Sequence, residues 1–230
     1  MALINQATKE IQLKIVYYGP PQGGKTTNLE NVHAEVDAPP EVKGKLTSLA
    51  TNSDRTLFFD FLPLETAVIR GYKTKFQLFT VPGQVLYNTT RQLVLKGVDG
   101  IVFVVDSHWE KMADNVESFA NLQENLIENH LSLVQIPYVI QYNKRDIPNA
   151  APINYLEFTF NNRANRALAF EGVASTGVGV LETLNAAARL LLAKYSKTPN
   201  ANVTGLAKPN DSVVVPPPPE DAQVQAGNVA

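Results

Sequence analysis

The stretch Gly19-Pro20-Pro21-Gln22-Gly23-Gly24-Lys25-Thr26 fits the pattern G-x-x-x-x-G-K-[ST] at every defined position. These residue types at this spacing suit one task, holding the phosphates of a nucleotide. Successive backbone N–H groups of such a loop, joined by the positive end of the helix that follows, surround a β-phosphate. Lys25 adds a mobile cation between β- and γ-phosphates, and the Thr26 hydroxyl is suited to ligate Mg²⁺. Gly19, Gln22, Gly23, Gly24, Lys25, Thr26 and Thr27 are therefore candidate phosphate-binding residues, with Lys25 also a candidate catalytic group. The pattern needs a strand before it and a helix after it. Ile11-Gln12-Leu13-Lys14-Ile15-Val16-Tyr17-Tyr18 reads as that strand and residues 26–36 as that helix.

A phosphate loop does not choose a base; Asn143-Lys144-Arg145-Asp146, at the end of an apolar run, does. A carboxylate at Asp146 can accept hydrogen bonds from N1–H and N2–H₂ of guanine, a donor pair that adenine lacks. Buried polar groups built for such a pair reject the wrong partner by roughly 10⁴–10⁵. The stem of Lys144 can cover the base, and Asn143 can tie this loop to the phosphate loop. Farther on, Val173-Ala174-Ser175-Thr176 follows the last expected strand, where the Ala174 N–H and neighbouring Ser175 would face guanine O6.

The surrounding pattern supplies elements to position these groups. Thr56-Leu57-Phe58-Phe59-Asp60-Phe61-Leu62 reads as a strand, and residues 72–80 alternate in the period-two manner of a half-exposed one; the two should pair as a hairpin. Ile101-Val102-Phe103-Val104-Val105 and Tyr138-Val139-Ile140-Gln141-Tyr142 are the near-continuous apolar runs of central parallel strands covered on both faces. Met112, Val116, Phe119, Leu122 and Leu126 mark one helix, residues 153–167 a second, and Val180, Leu184, Ala187, Leu191 and Tyr195 the last. The expected fold is α/β, a mixed and mostly parallel six-stranded sheet with helices on both faces, over residues 1–195. Residues 37–54, with Pro39-Pro40 and little apolar periodicity, read as one long connection of the kind that serves as a lid or switch. From 196 to 230 the chain turns to Pro, Asn, Val, Ala and Gly, including Pro216-Pro217-Pro218-Pro219, which reads as a disordered tail with a polyproline II segment.

Composition narrows the partners. Of 230 residues, 20 Lys+Arg stand against 22 Asp+Glu, so no basic excess favours nucleic acid or an anionic membrane. The absence of cysteine excludes disulfides, zinc thiolates and a cysteine nucleophile, and fits a reducing cytoplasm. The three histidines, His33, His108 and His130, have no metal spacing and read as solvated or packing residues. No apolar run is long enough to cross a bilayer, so any membrane association is expected through a partner.

The order of phosphate loop, long loop, Thr80-Val81-Pro82-Gly83-Gln84, Asn-Lys-x-Asp and Ala-Ser-Thr resembles that of Ras-like small GTPases with a P-loop NTPase fold. The runs from Lys14 (KIVYYGP), Gly24 (GKTTNL), Asp54 (DRTLFFDFLP), Thr80 (TVPGQ) and Ile136 (IPYVIQYNKRD) are similar to the bacterial MglA family, GTPases of cell polarity and gliding or pilus-driven motility. The resemblance implies a monomeric switch that binds GTP or GDP with Mg²⁺ and recruits polarity and motility effectors when GTP-bound. It further implies a cytoplasmic protein recruited to a pole through partners, and inactivation by a dimeric roadblock-type partner, MglB. By the same resemblance Arg55 is a catalytic finger supplied in cis from the first switch, and Thr56 contacts nucleotide and metal. Residues 82–91 form the second switch, where the Gly83 N–H meets the γ-phosphate and Gln84 orients the attacking water.

Two features depart from the ordinary Ras-like pattern. Thr80 stands where an acidic residue usually holds Mg²⁺ through water, a threonine that MglA proteins share, leaving Asp60, Asp54 or water to substitute. Pro20-Pro21 removes two donors from the phosphate loop while sparing Gly23, Gly24 and Lys25, and Pro21 is expected to slow hydrolysis until a partner orders the switches. A nucleotide-binding scaffold with little or no turnover is the alternative these departures leave open.

Overall fold

The computed structural model describes residues 3–35, 47–50, 55–61, 68–69, 71–82, 88–163 and 166–197; in 47–50, 55–61 and 68–69 the backbone alone is described, as it is at 197. The strands are β1 (Leu3–Asn5), β2 (Glu10–Tyr18), β3 (Thr47–Ala50), β4 (Arg55–Phe61), β5 (Val68–Ile69), β6 (Tyr72–Thr80), β7 (Gly100–Asp106), β8 (Tyr138–Asn143) and β9 (Leu168–Glu171). Helices α1 (Lys25–Glu35), α2 (Asn88–Leu95), α3 (Met112–Glu128), α4 (Ile153–Phe160) and α5 (Val180–Lys197) connect or follow them.

The sheet runs β3-β4-β6-β2-β7-β8-β9. From β6 to β9 every pairing is parallel, while β4 runs antiparallel to β6 through Phe58↔Phe79 and Asp60↔Gln77. Those are the six strands expected. Three short additions escaped the sequence reading: β1 folds back on the start of β2, β5 on the start of β6, and β3 extends the sheet beyond β4. The last corrects the reading of residues 37–54 as one connection. Thr47-Ser48-Leu49-Ala50 carries almost no apolar periodicity, but the free edge of β4 offers a ladder, and pairing Leu49 with Thr56 draws it in. Helix α4 is also shorter than the expected 153–167; the Asn161 side chain accepts from the Ala167 N–H and donates to its carbonyl, closing a turn where the helix would have continued.

Why the sheet is covered on both faces follows from the period of its strands. Odd positions of β2 (Leu13, Ile15, Tyr17) point with Val102 and Val104 toward Leu29 and Val32 of α1 and Leu184 and Leu191 of α5. Even positions (Val16, Tyr18) point with Phe103 and Val105 toward Leu95, Phe119, Leu126 and Phe160 on α2, α3 and α4. The Phe103 and Phe119 rings meet edge-on, centroids 4.7 Å apart, and Phe119 meets Phe160 at 5.8 Å. Because the central strands are parallel, the loops after β2, β6, β7, β8 and β9 all open at one edge of the sheet, where open α/β sheets take their ligands.

One buried contact registers that edge. Asn28 of α1 and Gln141 of β8, both fully buried, exchange amide hydrogen bonds of 2.8 and 2.9 Å, and Gln141 also donates to the Thr183 hydroxyl of α5 at 3.3 Å. Asn28 Nδ2 donates in addition to the Gly24 carbonyl at 2.9 Å. The helix that starts at the phosphate loop is thereby locked to the strand that ends at Asn143. Replacing one partner strands the other's amide in an apolar interior, at about 2 kcal/mol. Gln141→Leu is expected to lower urea stability by about that amount, and Asn28→Leu added to it to cost less than the two single losses summed; additive losses would mean that the pair is not coupled.

Candidate functional site

Two backbone positions explain the glycines of the phosphate loop. Gly24 has φ +98°, and a Cβ there would run into the Asn143 carboxamide; Gly19 has φ +153° and a Cβ there would meet the Val104 carbonyl. Gln22 takes φ +56° and lies exposed at the tip, Gly23 is buried, and Thr26 and Thr27 are half-buried in the first turn of α1. Lys25 is buried, its ammonium donating to the carbonyls of Gly19 (3.0 Å) and Pro20 (2.6 Å). The loop thus curls around its own cation, the cradle that a polyphosphate requires. The proline pair does not interrupt it: Pro20 serves as acceptor, to Lys25 and to the Gly23 N–H at 3.3 Å.

The base-reading loop is fastened to this cradle through one side chain. Asn143 Nδ2 donates to the Gly23 carbonyl at 2.8 Å, and Asn143 Oδ1 accepts from the Ala174 N–H at 2.9 Å. Three loops from three parallel strands meet on that one carboxamide. The Ala174 amide, expected to face guanine O6, is engaged by Asn143 here, while Ser175 and Asp146 are exposed at the rim. Arg145, between the two motif residues, is spent on the frame: it donates to Glu171 (2.9 Å) and to the Ala151 carbonyl (2.7 Å), leaving Asp146 free of that role.

Lys144 adopts φ +64°, which directs its side chain back over the sheet edge, and its ammonium pairs with Asp106 at 2.7 Å. Asp106, the last residue of β7 and aligned with Asn143, has no exposed side-chain surface. Burial by itself would raise its pKa; hydrogen bonds from Lys144 and from the backbone and ring of His108 outweigh that and hold the carboxyl below its ordinary value. His108 Nδ1 lies 2.7 Å from Asp106 Oδ1, so the histidine read as a packing residue also carries part of this network. Neither Asp106 nor His108 belongs to a recognisable motif; the signal was a carboxylate ending an otherwise wholly apolar strand.

A second buried network was not legible at all. Arg91 of α2, 1% exposed, donates to the Pro82 carbonyl (2.9 Å) and to Asn121 Oδ1 (2.7 Å), and its guanidinium lies 5.7 Å from the Tyr18 ring centroid. The Tyr18 hydroxyl donates to the same Asn121 oxygen at 2.6 Å, and Asn125 donates to Tyr18 and Asn88. Tyr18 precedes Gly19 and Pro82 precedes Gly83, so this array joins the roots of the phosphate loop and of the second expected switch. Helical periodicity gave no warning, because Asn121 and Asn125 stand at positions that look solvated.

The remaining expected residues divide in two. Thr56 lies in the expected strand, and Arg55 joins it as the first residue of β4, since β3 pairs with that end. Gly83, Gln84 and Asp54 lie outside the described residues. Thr80 is fully buried at the end of β6, paired in register with Tyr17, and among the described residues no group of three His, Cys, Asp or Glu side chains could hold a metal.

With the Asp106 pKa lowered, its pairing with Lys144 is present at neutral pH and is lost only as the pH falls through that lowered value. Asp106→Asn removes the charge while keeping the shape, and should weaken guanine-nucleotide binding by about tenfold at pH 7, the worth of one charge-assisted hydrogen bond. Fluorescent-GDP titration measures it; unchanged affinity would mean that Lys144 needs no anchor.

Comparison with known proteins agrees with this geometry. The model of the ADP-ribosylation factor family matches residues 1–188. The mutual gliding-motility protein MglA of Myxococcus xanthus (strain DK1622) is 54% identical over 197 residues, which is 86% of this chain and 99% of that protein. The chain belongs to the ADP-ribosylation factor family of Ras-like small GTPases, and within it to the MglA type.

Proposed function

We propose that this GTPase is a polarity and motility switch whose GTP-bound form recruits effectors, and whose slow intrinsic hydrolysis is accelerated by an MglB-like roadblock dimer. The name of its relative, a gliding-motility protein, supports the setting. The observation that carries the mechanism is Asn143, whose carboxamide holds the base loop on the phosphate loop. The chain works in the cytoplasm in this reading, reaching a pole through partners; among the described residues no helix is long and apolar enough to cross a membrane.

In the bound complex Gly23, Gly24 and Lys25 donate to the phosphates, and Gln22, Thr27 and Gly19 shape the loop. Asp146 accepts from the guanine edge, Lys144 covers the base, and Ala174 and Ser175 close the far side. Mg²⁺, held by Thr26 and Thr56, would neutralise charge on the β- and γ-phosphates. Lys25 reaches the phosphate oxygens from its buried place at the start of α1. Gln84 orients the water, Gly83 meets the γ-phosphate, and Arg55 stabilises the charge that spreads over it as the bond to the leaving oxygen lengthens. Such an arginine contributes roughly 10³–10⁵ in rate.

Single-turnover GTP hydrolysis, measured with and without the roadblock dimer, tests this. The dimer should raise the rate, and Arg55→Ala should cut the stimulated rate by about 10³ while GDP affinity holds. ATP should fail to displace fluorescent GDP. Absence of turnover in both conditions would favour a nucleotide-binding scaffold instead.

A further inference from the structure

The two oxygens of the Asp106 carboxyl have different owners. Oδ1 accepts from the His108 backbone N–H at 3.1 Å and lies 2.7 Å from Nδ1 of the same residue's ring, while Oδ2 accepts from the Lys144 ammonium at 2.7 Å. With its pKa lowered, Asp106 is ionised at neutral pH and can only accept. The proton of the short ring contact therefore sits on His108 Nδ1, and the imidazole is a donor. A carboxylate with one partner can turn about its last torsion, whose energy well is broad. Held on Oδ1 by two donors from His108, it offers Oδ2 in one direction.

The backbone that carries this ring is fixed on every side. Asn115 of α3, fully buried, accepts from the Asp106 N–H at 2.9 Å and donates to the Asp106 carbonyl at 2.8 Å. The Ser107 N–H donates to the Asn143 carbonyl at 3.1 Å, the Ala151 N–H to the Ser107 carbonyl at 2.8 Å, and the Lys111 N–H to the His108 carbonyl at 3.0 Å, while His108 bridges Ala150. Lys111, the other cation near Asp106, is paired with Asp114 at 2.9 Å and leaves the carboxylate to His108. At the far end Lys144 holds φ +64°, a left-handed conformation that a residue with a side chain keeps only where its surroundings determine it.

We propose that His108 is a positioning residue for the guanine base: through Asp106 it sets where the stem of Lys144 lies over the ring. The proposal rests on Lys144 being the cover of the base. Without the imidazole, Asp106 and Lys144 still attract one another, but the carboxylate turns and the stem loses its single place. Nucleotide binding must then order a long side chain that was ordered in advance, which weakens affinity by about fivefold. The ring is 38% exposed, so its removal opens no buried cavity and leaves the fold intact.

Fluorescent-GDP titration of the full chain with Mg²⁺ tests this through three substitutions. His108→Ala should weaken GDP by about fivefold. His108→Asn, whose Nδ2 stands where the ring Nδ1 stood and donates likewise, should weaken it by no more than about twofold. Lys144→Ala should weaken GDP by itself, and His108→Ala added to it should cost nothing further, because the two act on one contact. Unchanged affinity in His108→Ala, an Asn variant as weak as the Ala variant, or an equal loss with and without Lys144 would each overturn the proposal. Full affinity in Lys144→Ala would instead remove the base-cover reading, and the role of His108 with it.

Discussion

The structure depends on what a single carboxamide can do when its surroundings leave it no alternative. Asn143 is 1% exposed at the end of a strand buried on both faces, with one donor pointing at the Gly23 carbonyl and one acceptor at the Ala174 N–H. Leaving either partner unpaired there costs on the order of 1–3 kcal/mol, so the phosphate loop, the base loop and the turn after β9 share one position. Gly24 is glycine for the same reason, because the space of its Cβ belongs to Asn143. Phosphate binding and base reading, separate motifs in the sequence, are one object in the fold.

Around that object the two faces of the sheet are organised alike. On one, the Asn28–Gln141–Thr183 array fixes α1 and α5 to β8; on the other, Tyr18, Arg91, Asn121 and Asn125 fix α2 and α3 to the end of β2. Both replace apolar packing with directional bonds at the edge where the loops emerge. Apolar packing tolerates small sliding, whereas a chain of hydrogen bonds has one arrangement. Arg91 carries this farthest, since its buried guanidinium holds the Pro82 carbonyl just after β6. The frame is specified up to Tyr18 and Pro82.

How much of this could be read beforehand depends on how local the cause is. Gly19 to Thr26 and Asn143 to Asp146 were legible because their chemistry constrains residue type at fixed spacing, and the parallel core was legible because β7 and β8 are apolar throughout. The short strand Thr47–Ala50 was not, since its reason for existing is the free edge of β4, seven residues away in sequence and invisible in its own composition. The burial of Arg91 and Asn121 had no sign in the sequence, because helical period reports polarity, and polar groups can be buried when they satisfy one another. Asp106 was not singled out either; a charge ending an apolar strand was its one sign, and the pairing with Lys144 at positive φ gives that charge its place.

Affinity of Asn143→Ala for GDP, measured by displacement of a fluorescent analogue with folded secondary structure verified, bears most directly on the claim that one carboxamide assembles the site. Losing the two buried hydrogen bonds of Asn143, itself a candidate nucleotide-binding residue, should weaken GDP by roughly 10²-fold or more. Affinity within a few-fold of the unaltered protein would show that the loops find their places without it, and would contradict the account.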